Sequence, residues 1–119
     1  MKRKLRIYLA DLTYNTVGLS TEVFPLNIGY IASYCKQNFG EQVEISLFKY
    51  IEKLESAIEN ELPDILGLSN YAWCHRIGLE MFKIAKEKNP KIITVWGGPN
   101  FPRDIISQEK FMKKHTDVD

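Results

Sequence analysis

Residues 92 to 101 read IITVWGGPNF. An apolar, β-branched run stops abruptly at Gly97-Gly98-Pro99. A run of this length, rich in Ile, Thr, Val and Trp, predicts a strand. The fold depends on what surrounds it. Upstream, residues 76–88 space Ile77, Leu79, Met81, Phe82, Ile84 and Ala85 as a helix, and Asn89-Pro90 stops it. Before that helix stands a second apolar run, DILGLSN at 64–70.

The same alternation continues toward the N-terminus. Residues 51–62 put Ile51, Leu54, Ala57, Ile58 and Leu62 on one face with acids opposite, and Pro63 follows. VEISLF at 43–48 predicts another strand, and Pro25 to Phe39 a helix closed by Gly40. The wide apolar face of that helix predicts deep burial, with Cys35 as a small core residue. LRIYLA at 5–10 predicts the first strand, and residues 11–24 a long polar loop. Downstream, residues 103–114 form a polar helix with one apolar stripe, and Asp117-Val118-Asp119 enter a fifth strand.

Strands that alternate with helices and carry continuous apolar runs predict a doubly wound α/β fold around a parallel sheet. The expected topology is flavodoxin-like, four strands in the order 2-1-3-4, truncated before the fifth. The domain spans 1–119 and is expected to be an incomplete piece of a longer chain. The exposed edge of the fourth strand is then expected to promote self-association.

Composition narrows the partners. Of 119 residues, 45% are hydrophobic and 26% charged, with a formal net charge of +1. That balance gives no electrostatic case for nucleic acid. The apolar segment after MKRK is too short for a signal peptide or a membrane span. Two widely separated cysteines, Cys35 and Cys74, fit free thiols and a cytoplasmic location. Cys74-His75 is disfavoured as a zinc pair because no third ligand stands nearby in sequence.

In a doubly wound sheet, ligands bind outside the carboxyl ends of the strands. The informative residues collect there: Asp11 to Phe24 after strand one, Ser69-Asn70-Tyr71-Ala72-Trp73 after strand three, and Gly97-Gly98-Pro99-Asn100-Phe101 after strand four. Glycine lets backbone approach a ligand with no Cβ in the way. Gly98 in particular is expected to serve ligand access, beside the Ser69 hydroxyl. On spacing alone, a simple strand-to-helix turn explains Gly-Gly-Pro equally well. The usual occupants of the fold lack their signatures. No GxxxxGK[ST] is present, the single Asp11 does not make a receiver acid cluster, and the glycine-rich dinucleotide turn is missing. Thr13-Tyr14-Asn15-Thr16 faintly resembles a flavin phosphate loop but lies far from the helix start.

Three stretches carry a resemblance to a family: PLNIGYIASYCKQNFGEQVEISLF at 25–48, LPDILGLSNYAW at 62–73 and KEKNPKIITVWGGPNF at 86–101. Together the chain resembles the N-terminal cobalamin-binding domain of B12-dependent radical SAM enzymes, over about residues 5–102. The resemblance implies that Ser69, Gly97 and Gly98 lie along the nucleotide tail of cobalamin. It further implies that the first loop, with Asp11, Thr13, Tyr14 and Asn15, faces the lower side of the corrin, and that Leu26 and Gly29 match the first-helix start. Asn70, Tyr71 and Pro99 complete the expected cofactor-binding set. Asn27 stands where the family often has glycine.

Loop one holds no histidine, so the resemblance implies cobalamin bound without a protein histidine ligand. S-adenosylmethionine and a [4Fe-4S] cluster would belong to a downstream radical SAM domain, because no CxxxCxxC is present. The implied activity of the full protein is methyl transfer or related radical chemistry, with no catalytic residue in this domain. The alternative is a scaffold domain that keeps the fold for docking and binds no cofactor.

Overall fold

The computed structural model describes residues 3–13 and 25–119. The elements follow in the order β1 (Leu5–Thr13), α1 (Leu26–Phe39), β2 (Val43–Tyr50), α2 (Ile51–Asn60), β3 (Ile65–Ser69), α3 (His75–Lys88), β4 (Ile93–Gly97) and α4 (Ile105–Lys114). The strands form one sheet in the order β2-β1-β3-β4. All three pairings are parallel. The expected topology is therefore the observed one, with helices on both faces.

Period-two alternation sends successive side chains of each strand to opposite faces. On one face Tyr8, Ala10 and Leu12 of β1 and Leu66 and Leu68 of β3 pack against Leu54 and Ile58 of α2 and Met81, Phe82 and Ala85 of α3. On the other, Ile7, Leu9 and Val43 meet Ile28 of α1. Burying a large aliphatic or aromatic side chain contributes roughly 1.5–3 kcal/mol, so the first face dominates the stability.

Three expectations are corrected. β1 continues to Thr13, where Thr13 pairs with Tyr50 of β2 across an irregularity after Ala10. Asp11 and Thr13 thus sit on a strand end, and the rest of the expected loop, including Tyr14 and Asn15, lies outside the described residues. Helix α1 is not deeply buried: Ile28 is its one buried residue, while Tyr30 and Tyr34 are 71% and 66% exposed. Cys35, on the same helix, is only half-buried. An apolar stripe reports the character of a surface and does not by itself supply the layer that covers it.

Residues 117–119 lie along β4 without forming a strand. The Asp119 N–H donates to Thr94 O at 3.1 Å, and the Thr94 N–H donates to Asp119 Oδ2 at 2.9 Å. Lys86 Nζ reaches the same carboxylate oxygen at 2.6 Å. The β4 edge is thus already occupied around Thr94, beside the fully buried Thr94 hydroxyl, which donates to Asp117 O. No helix among the described residues is long and apolar enough to cross a membrane.

Candidate functional site

The carboxyl ends of β1, β3 and β4 meet the first turn of α1 around a slot of about 360 Å³. Its apolar floor is Ile7 and Leu9 of β1, Ile65 and Gly67 of β3, and Val95 of β4. Every one of these is an odd-numbered residue, which the strand alternation turns to the α1 face. The wall is Asn27, Ile28, Ile31 and Cys35 of α1. At the carboxyl end the slot is bounded by Ser69, Tyr71, Gly97 and Gly98.

The two glycines differ. A Cβ built on Gly97 would meet nothing within 4 Å. Its backbone is therefore open toward the slot. Gly98 has φ of +121°, and a Cβ there would stand 2.7 Å from the Asn70 carbonyl oxygen. That position needs glycine for the chain's own sake. Gly98 lines the slot beside Gly97, but its glycine is already required by the approach of the Asn70 backbone, whereas Gly97 leaves open room.

Asn70 explains the contact. Its N–H donates to the Gly97 carbonyl, and its own carbonyl accepts from the Asn100 N–H at 3.1 Å. The side chains repeat the connection, with Asn70 Nδ2 donating to Asn100 O at 3.3 Å and Asn100 Nδ2 donating to Asn70 Oδ1 at 3.2 Å. His75 Nδ1 stands 3.2 Å from the same Oδ1. Asn70 is buried and faces away from the slot, so it shapes the site without lining it.

The other expected residues divide. Ser69, Tyr71, Gly97 and Gly98 line the slot, while Leu26 and Gly29 border a separate groove between α1 and β2. Pro99 borders a cleft against α4 with His75, Phe111 and His115. Asp11 stands near Ser69 at the end of β1. Burial raises its carboxyl above the ordinary value, while the Ser69 hydroxyl and the charge of Lys49 pull it part of the way back. Ile31, Gly67 and Val95 were not expected at the site from sequence, and Asn27 stood out only as a departure from the family's glycine. The period-two patterns Ile65-Gly67-Ser69 and Val95-Gly97 could have found the floor, but nothing local marks Asn27.

Neither histidine of the chain reaches the slot. His75 stacks on Trp96 with ring centroids 4.8 Å apart, and His115 packs on Phe111 at 4.5 Å. Burial lowers both imidazoles below their ordinary value, helped by Lys114. Cys74 is buried, its thiol raised chiefly by that burial. The thiol donates to Ser69 O at 3.3 Å and accepts from the Tyr71 N–H at 3.4 Å, which shapes the turn into α3. Among the described residues no group of three His, Cys, Asp or Glu side chains is placed to hold a metal ion.

The slot is apolar apart from the Asn27 amide, the Ser69 hydroxyl, Tyr71 and the glycine backbone at its end. Residues 14–115 match the B12 binding domain family. The chain is similar to the cobalamin-dependent radical SAM methyltransferase TokK of Streptomyces tokunonensis, at 31% identity over 110 residues. That alignment covers 87% of this chain and 15% of the relative. It is also similar to the 2-(S-pantetheinyl)-carbapenam-3-carboxylate methyltransferase of Streptantibioticus cattleyicolor, at 29% identity over 93 residues, covering 72% of this chain and 13% of that protein. The chain thus spans about one seventh of the length of these curated relatives. It belongs to the B12 binding domain family.

Proposed function

We propose that this chain is the cobalamin-binding module of a radical SAM methyltransferase and holds the nucleotide tail of the cofactor in the slot between α1 and the sheet. The observation that carries the reading is Gly97. Its backbone faces open space at the end of a slot that is apolar apart from Asn27, Ser69 and Tyr71. Ile7, Leu9, Ile65 and Val95 would exclude water from the tail, Ser69 would give it a polar contact, and Asp11 at the end of β1 would stand toward the ring. Bound cobalamin would supply methyl-transfer chemistry, and the domain's own part is binding and orientation. S-adenosylmethionine and an iron–sulfur cluster would lie in a separate domain, in keeping with the much greater length of the relatives and with TokK being a radical SAM methyltransferase.

Both histidines stand in the aromatic cluster beside Trp96, so the domain has none to offer cobalt at the slot. The test is visible-absorption titration of the whole protein with hydroxocobalamin. Gly97→Leu should fold like the parent and bind at least tenfold more weakly, because a branched side chain would fill the slot end. A leucine variant that binds like the parent would refute the placement of the tail. Electron paramagnetic resonance of the cob(II)alamin form should show no nitrogen splitting from an axial histidine. A parent protein that binds no corrinoid would favour the scaffold alternative.

A further inference from the structure

The slot contains one polar group whose hydrogen bonding is incomplete. Asn27, in the first turn of α1, lines the slot beside Ser69. Its Nδ2–H donates to Ser69 Oγ at 2.7 Å. Its Oδ1 is buried and has no hydrogen-bond partner among the described residues. Buried amide oxygens are rarely left unpaired, because they give up water and receive nothing in return.

The orientation of the amide decides what the slot is offered. Turned over, Asn27 would accept the Ser69 proton and present its NH2 to the slot. The structure has the amide the other way: its NH2 lies on Ser69 Oγ at 2.7 Å, which leaves the carbonyl oxygen as the end without a partner among the described residues. The polar end of an otherwise apolar slot therefore presents an acceptor.

We propose that Asn27 is a binding residue of the slot, its Oδ1 accepting a hydrogen bond from an N–H or O–H group of a bound corrinoid. The inference rests on the cobalamin reading above and adds a selectivity to it: the site favours a corrinoid with a donor at this point. The donor has two sources, the amide side chains of the ring or the nucleotide arm, which offers an amide, a ribose hydroxyl and, in an adenine-tailed corrinoid, an amino group.

The test uses the whole protein with three probes: cobalamin, an adenine-tailed corrinoid and cobinamide, which lacks the nucleotide. Asn27→Leu keeps the size and removes the acceptor. Relief of an unpaired buried acceptor and loss of the hydrogen bond to Ser69 oppose each other, so the melting temperature of the ligand-free protein should change little. Affinity should nevertheless fall by about 3- to 10-fold. An affinity loss without a matching stability loss distinguishes a binding residue from one that only supports the helix. A loss shared by all three probes places the donor on the amides that cobinamide keeps, those of the ring and the linker amide of the arm. A loss confined to the two tailed probes places it on the nucleotide arm, and a larger loss for the adenine tail places it on the base. A leucine variant that binds every probe like the parent overturns the inference and leaves the cobalamin reading intact, as does one that loses stability and affinity together. A parent that binds none of the three overturns both.

Discussion

The two faces of the sheet are built from the same strands and end in different states. On the α2–α3 face, Leu66, Leu68 and Thr94 are buried, and Phe82 is completely enclosed. On the α1 face, the neighbouring residues Ile93 and Val95 remain 50% and 51% exposed. One residue of offset along a strand therefore separates core from site. The closed face has large side chains from two helices interlocking over it, whereas the open face has Gly67 and Gly97 where side chains would otherwise close the gap. Leu9 leans over Gly67, with Cδ2 2.8 Å from where a Cβ would stand. The contrast shows how a parallel sheet keeps binding space without losing its stability, which comes mainly from the opposite side.

The comparison can be broken most sharply by truncation. Phe82→Ala on the closed face should cost about 3–5 kcal/mol of unfolding free energy. Val95→Ala on the open face should cost under about 1 kcal/mol, given its exposure. Urea unfolding of both variants checks this, and equal losses would mean that the open face is covered in solution. A smaller effect separates the glycines. Gly98→Ala forces a Cβ against the Asn70 backbone at positive φ and should cost about 2 kcal/mol, while Gly97→Ala should cost under about 1 kcal/mol. Thermal melting decides between them.

Asp64 offers a control that belongs to neither face. At the amino edge its carboxylate accepts from Arg3 and from the Arg6 N–H, and the Arg3 hydrogen bonds help hold its pKa at about 2. Its folded value lies below the ordinary 3.8, so the stabilisation is complete above about pH 4 and is lost as pH falls toward 2. Arg3 is well exposed, which limits the contribution to about 1 kcal/mol. Asp64→Asn should therefore lower stability by that amount at pH 7, converge with the parent near pH 2, and leave corrinoid affinity unchanged. Acid titration of unfolding by circular dichroism measures the difference. The smallest effect concerns the β4 edge, where any self-association should be weak because Asp119 already occupies Thr94. Sedimentation over a range of concentrations checks it.

Much of this arrangement is legible in the sequence. The runs at 43–48, 64–70 and 92–97 locate the strands, and their alternation with amphipathic segments determines parallel pairing. Ser69 and Gly97 could be placed at the slot because they end strands, and a strand end in this topology lies on the ligand edge. The burial of α1 was misjudged, since helical spacing of Leu26, Tyr30 and Tyr34 cannot show whether anything packs on them. The sign of φ at Gly98 was equally hidden, because it depends on how closely the Asn70 backbone approaches. Asn27 is 42 residues from Ser69, and its meaning arises only when the two are brought together.

The Asn70–Asn100 clasp also bears on protein engineering. The Gly97–Phe101 segment is not a self-sufficient cassette. Its backbone is tied to Asn70, whose side chain meets His75 at the start of α3. His75 in turn stacks on Trp96, which packs with Phe111 of α4. Transplanting the loop onto another parallel sheet therefore means moving the asparagine pair and its aromatic support as one unit. A graft of the glycines alone would carry the letters of the motif and leave behind the geometry that makes them useful.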